Sequence, residues 1–258
     1  MELGAPDTHQ IAPVLDTLRS LADPSVVESM DRFAVRPATI RLGVSIPSLR
    51  TLARRIGHDH ALAEALWQSG FHEAQIIATL VDEPAAVTEE QMERWVVSLD
   101  SWNICDACCQ DLFRKTPFAN QKVYEWSTRP EEFVKRAAFA LVAELARHDK
   151  TSNDAVFLAY LPIIEREADD DRNFVKKGVN WALREIGKRN AALREAAIAS
   201  CLRLRERQSS SARWIVSDAL RELRRDTDST SSRRTARLSM RARSSKWLIK
   251  DAICHVSV

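Results

Sequence analysis

The sequence predicts an all-α fold, a solenoid of stacked helical repeats with a basic concave face, on three observations. Nearly every segment carries apolar residues at helical spacing, among long-chain helix formers. Glycine and proline number only 6 and 9 in 258 residues, too few for a turn-rich sheet protein. Three segments also repeat one another at a nearly constant offset.

In chain order, the helical period marks 11–22, 25–34, 47–56, 59–69, 71–81, 88–98, 102–114, 118–127, 130–147, 152–165, 171–188, 191–205 and 211–225. Thr88 precedes Glu89 and Glu90, a cap followed by acids that favour a helix N-terminus. Pro117 and Pro130 place a proline in the first turn of 118–127 and 130–147. No segment shows sustained β-branched alternation. "FVKRAAFALVAELAR" from Phe133 aligns without a gap on "FVKKGVNWALREIGK" from Phe174, 41 residues on, and "SARWIVSDALRELRR" follows 37 residues later from Ser211. A period near 40 residues with paired helices is the signature of HEAT-like or armadillo-like arrays. One such domain over 1–226 is expected. The Ser- and Arg-rich tail 227–258 breaks the pattern and reads as partly disordered and solvated; nonspecific contact with a nucleic-acid backbone is the alternative.

Composition bounds the function class. Hydrophobic residues at 45% and charged residues at 29% are ordinary for a globular chain. No apolar run approaches the ~18 residues of a membrane span, and the first residues do not resemble a signal peptide. Five cysteines without framework spacing fit free thiols in a reducing compartment, so a cytoplasmic protein is expected. Net charge is only +2, yet basic residues outnumber acids from Arg184 to Lys250, while acids cluster at 82–93 and 165–171.

Which side chains leave the core stripe carries the functional reading. In 171–188, Val175, Val179, Ala182, Leu183 and Ile186 share one stripe. Trp181 lies opposite, among Lys177, Arg184 and Lys188. It is read either as an inter-repeat tryptophan or as an aromatic platform beside phosphate-binding cations. One repeat earlier, Val134, Ala137, Ala138, Leu141 and Leu145 form the stripe, and Arg136 and Arg147 face away with Ala140 and Ala143 between them. Arg136 occupies the repeat position of Lys177. Cations at matching places line one surface of a solenoid, and such a groove suits a duplex backbone. In "SWNICDACCQ", 101–110, Ile104, Cys105, Cys108 and Leu112 make the stripe, with Trp102 and Asp106 side by side at its edge. The C-x-x-C lacks a second ligand pair and a strand-to-helix setting, so the cysteines read as small core residues, with neither a metal nor a redox role.

These residues resemble the DNA alkylation-repair glycosylases of the AlkD type. The likeness spans roughly 35–225 and rests on "GVSIPSLR" (43–50), "LWQSGFHEAQIIA" (66–78), "SWNICD" (101–106), "EFVKRAAFAL" (132–141) and "RNFVKKGVNWALREIGKRN" (172–190). The resemblance implies hydrolysis of the N-glycosidic bond of N3- or N7-alkylated purines in double-stranded DNA, without a base-flipping pocket. It implies no metal or organic cofactor. By position it makes Asp106 the catalytic carboxylate, Trp102 and Trp181 its aromatic companions, and Arg136 a ligand for the phosphate near the lesion. Lys177, Arg184, Lys188 and Arg147 would bind the rest of the backbone. A monomer without membrane partners is expected. This chain departs from the family in carrying Asn103 where an acid commonly follows the motif tryptophan. Nor does anything in the residues read as a purine-sized cavity. The competing expectations are a DNA-binding solenoid without catalysis and a protein-binding scaffold.

Overall fold

The computed structural model describes residues 8–225, so the tail 227–258 lies outside the described residues. The helices are α1 Thr8–Ser20, α2 Pro24–Arg32, α3 Ile46–Ile56, α4 His60–Trp67, α5 His72–Val81, α6 Glu89–Val97 and α7 Trp102–Ala107. They continue as α8 Ala119–Ser127, α9 Glu132–His148, α10 Asp154–Glu167, α11 Asn173–Arg189 and α12 Ala191–Arg205, with α13 over 210–225. Every segment marked by the periodicity holds a helix, and the described residues contain no strand. No described helix is long and apolar enough to cross a membrane.

Side chains stop and start these helices. Asp23, Ser45, Asp59, Thr88, Asn153 and Asn190 each accept a hydrogen bond from a first-turn N–H that has no partner within its helix. Pro117 and Pro130 fall just ahead of their helices, leaving Phe118 and Glu131 as the caps. The segment 102–114 is not one α-helix. After Ala107 it widens into a π-turn, Cys108–Leu112, then tightens into a 3₁₀ turn, Phe113–Lys115. Cys108, Cys109, Leu112 and Phe113 are all buried along this stretch. Phe113 then joins an aromatic column with Trp67, Trp95 and Trp126, in which Trp67 and Trp95 stack 4.0 Å apart.

Helix α9 is the axis of the fold, flanked by α7, α8 and α11. All three core stripes read from sequence are buried. The opposite face of α9 is buried too, contrary to expectation: every residue from Arg136 to Ala146 is covered, and Arg147 is where that face meets solvent. The cause is the close approach of α11. A Cβ on Gly178 would already sit 3.4 Å from Phe139 Cβ, so glycine there lets the two helices approach closely. Phe133 and Phe174, at matching repeat positions, have ring centroids 5.4 Å apart.

Candidate active site

Helix α7 presents Trp102 and Asp106 one turn apart. Trp102 is half-buried, and its Nε1 donates to the carbonyl of Phe33 at the end of α2, 3.0 Å away. Asp106 meets Arg136 of α9 through two parallel bonds, Nε to Oδ1 at 3.0 Å and Nη2 to Oδ2 at 2.8 Å. The remaining arm, Nη1, donates to the Phe174 carbonyl of α11 at 2.8 Å. The Arg136 side chain is 7% exposed and that of Asp106 21%, so the carboxylate is the end that reaches solvent. Burial pushes the Asp106 carboxyl above its ordinary value while the guanidinium pulls it back. The guanidinium in turn stays charged, its pKa raised despite burial by the carboxylate beside it. Forked bonding to both oxygens is the geometry of an ionised pair.

Arg136 therefore does not stand where the sequence placed it, as a free phosphate ligand. It is buried, and all three arms of its fork are taken within the protein. Trp181 is partly exposed and packs against the core at one edge, so it is not sealed between repeats. Arg184 pairs with Glu222 and lies 3.8 Å from Asp218, and Lys188 pairs with Glu185 and Glu222. Arg147 pairs with the fully buried Glu144 but keeps 45% of its side chain exposed. Lys177 is exposed and, among the described residues, has no acidic partner. These cations are thus less available than their number suggests. Acids from α13, a repeat beyond, neutralise two of the five expected cations. Sequence reading also missed Trp214, which occupies the repeat position of Arg136 and Lys177. It is 39% exposed, with Lys176 Nζ 5.4 Å from its ring centroid.

The three cysteines of this region are buried free thiols, and burial raises Cys108 and Cys109 far above the range of a reactive thiolate. Between them and the tryptophan, Asn103 has a definite task. Its Nδ2 donates to His72 Nε2 at 2.7 Å, and its Oδ1 accepts from Ser101 Oγ at 2.9 Å. His72 is fully buried, and burial lowers its pKa, so the ring is neutral with its proton on Nδ1. That Nδ1 has no partner among the described residues. Next to it, the buried Glu73 accepts from the N–H groups of Leu42 (3.0 Å) and Gly43 (2.7 Å). Gly43 has φ +79°, and a Cβ there would lie 2.1 Å from the Asp23 carbonyl oxygen, so only glycine lets this loop tuck under α2. Two stretches of the alkylation-repair likeness, 43–50 and 66–78, meet at this contact. Beside Trp102 the structure also holds a cavity of about 240 Å³, walled mainly by apolar side chains of α2, α3 and α5. Its walls come from four separate helices, α2, α3, α5 and α7.

The profile of the DNA alkylation repair enzyme family matches residues 14–223. The chain belongs to that family. Among solved structures it is similar to one described as a new family of proteins related to the HEAT-like repeat DNA glycosylases with affinity for branched DNA structures. The TM-score is 0.68 at 17% identity, covering 83% of this chain and 95% of that one. This likeness establishes the HEAT-like fold for the alkylation-repair chain. No curated protein matches it.

Proposed function

We propose that this member of the alkylation-repair family is a DNA glycosylase that hydrolyses the N-glycosidic bond of N3- or N7-alkylated purines in duplex DNA. The observation that carries the reading is the carboxylate of Asp106, held in place by Arg136 with its solvent-reaching end beside Trp102. Alkylation at those nitrogens makes the base cationic and a good leaving group, so the protein need supply little acid. As the bond lengthens, the deoxyribose becomes oxocarbenium-like, and a preorganised anion stabilises it. Asp106 supplies that anion and orients the attacking water. Trp102 and Trp181 add cation–π attraction for the charged sugar or lesion, about 0.5–2 kcal/mol each. Arg136 positions Asp106, and the backbone contact falls to Lys177 with help from the exposed part of Arg147.

One observation favours a second reading, DNA binding without excision: both Asp106 oxygens already accept from Arg136. The solved relative's described affinity for branched DNA suits that reading too. Release of 7-methylguanine and 3-methyladenine from methylated duplex DNA decides between the two. Excision by wild type and its loss in Asp106→Asn support the glycosylase. Salt-sensitive duplex binding without excision supports the binder. A protein that does neither is a scaffold.

A further inference from the structure

The last described helix, α13, carries a feature that neither reading of Asp106 uses. Its inner face, Ala212, Ile215, Val216, Ala219 and Leu223, is buried in the core. Its outer face runs Trp214, Asp218, Arg221 and Arg225, spaced 4, 3 and 4 residues, which is one stripe of a helix. Three contacts fix that stripe on α11. Lys176 stands by the Trp214 ring, Asn180 Nδ2 donates to Asp218 Oδ2 at 2.7 Å, and Arg184 pairs with Glu222. Each joins residues 38 apart, so the two helices dock in one register and the place of the indole is set. One turn beyond the tryptophan begins an open hollow of about 340 Å³, lined by Arg184, Asp218, Arg221, Glu222 and Arg225.

A lone exposed indole would mean little; its neighbours give this one a meaning. Charge selects a polyanion, because Arg184, Lys188, Arg221 and Arg225 stand against two carboxylates, Asp218 and Glu222. Glu222 holds Arg184 and Lys188, and Asp218 bonds Arg221, whose side chain is still 61% exposed. Arg225 is exposed and has no acidic partner among the described residues. The chain belongs to a DNA repair family, so the polyanion is DNA. The indole narrows it further. A stacked duplex covers the faces of its own bases, so an exposed ring finds a base to stack on only where one is unpaired. By the helical rise, Arg221 and Arg225 lie ~10 Å and ~16 Å along α13 from Trp214, so the row serves a stretch of strand and not one nucleotide. We infer that the outer face of α13 binds a single-stranded segment of DNA adjoining the duplex. An unpaired base stacks on Trp214, and phosphates of the same strand meet Arg221 and Arg225. This second DNA contact stands whichever reading of Asp106 holds.

The test measures binding of the full chain to unmethylated DNA by fluorescence anisotropy, which keeps excision out of the readout. Two probes are compared, a blunt duplex and the same duplex with a short single-stranded overhang. The overhang should raise wild-type affinity about tenfold, the effect of stacking one base on an aromatic ring. Trp214→Ala should remove that gain, while Trp214→Phe should keep most of it, since a phenyl ring still stacks. The double variant Arg221→Gln/Arg225→Gln should lower the slope of log affinity against log salt by about 1.4 for the overhang probe, as two single-strand phosphate contacts are lost. Circular dichroism checks the folding of each variant. Equal affinity of wild type for the two probes overturns the inference, and so does a Trp214→Ala loss that is the same on both. A concentration-dependent dimer in analytical ultracentrifugation that Trp214→Ala abolishes also overturns it, because the indole is then a protein contact. None of these results depends on release of a methylated base, so failure here leaves the glycosylase reading standing.

Discussion

Breaking the Asp106–Arg136 pair should have unequal effects on stability and activity. Two unit charges about 4 Å apart attract by ~4 kcal/mol at the effective dielectric of a partly buried site. Desolvation costs several kcal/mol per ion, so the intact pair is close to neutral in net stability. Removing one partner is another matter. Asp106→Ala strands a guanidinium that is 7% exposed, with the Phe174 carbonyl as its remaining bond, and should cost about 3–5 kcal/mol. Arg136→Met strands a carboxylate that is 21% exposed and can draw on water, so about 1–3 kcal/mol is expected. The double variant Asp106→Leu/Arg136→Met should recover much of the loss, because an apolar pair needs no charge compensation. Urea unfolding followed by circular dichroism measures all of these variants. Excision should behave differently. Asp106→Asn should lower the single-turnover rate by ~10²–10³-fold, the effect of removing one transition-state electrostatic group. The double variant should be stable and inactive. Protonation abolishes the anion, and burial raises the Asp106 pKa, so the rate should fall on acidification already above the ordinary carboxylate range. Additive single losses, or a stable double variant that still excises, would refute the reasoning.

Further predictions concern the surroundings of that pair. Lys177→Gln should lower the dependence of log affinity on log salt by about 1 for duplex DNA, as loss of one phosphate contact does. Arg184→Gln and Lys188→Gln should change that slope little, because Glu222 already holds both cations, and filter binding between 50 and 200 mM salt (about a fourfold range) compares the three. Gly43→Ala forces a side chain onto the Asp23 carbonyl at positive φ and should cost about 2 kcal/mol or more in thermal or urea unfolding. His72 titrates below 6.5 in the folded chain, so between the two values the unfolded chain binds more protons and stability falls as pH drops. The thermal midpoint should therefore decline below about pH 6.5, and His72→Gln should remove that part of the decline.

Much of this molecule is legible in the order of its residues. Periodicity locates the helices because each must bury one stripe, and a 3.6-residue repeat records that need locally. The repeats at Phe133 and Phe174 announce stacking because each unit reproduces the surface that covers the next. Trp102 and Asp106 could be singled out because one turn of one helix joins them. Arg136 shows the limit of this kind of reading. Its helical angle correctly separates it from the stripe of Val134 and Leu141, but the angle cannot say what lies opposite. The close approach of α11 at Gly178 covers that face and turns an expected phosphate ligand into the clamp on Asp106. Arg184 and Lys188 are cations by sequence, and only the stacking of α13 shows that Glu222 neutralises them. The same holds for His72, Asn103 and the hollow beside Trp102, whose walls are drawn from helices scattered over some 80 residues (Val26 to Asn103). Sequence alone determined what is local: helix positions, core stripes, the repeat, and the aspartate beside its tryptophan. Tertiary structure decided every property that depends on a neighbour distant in the chain, since burial, ion pairing and cavity shape are set by what packs against a face.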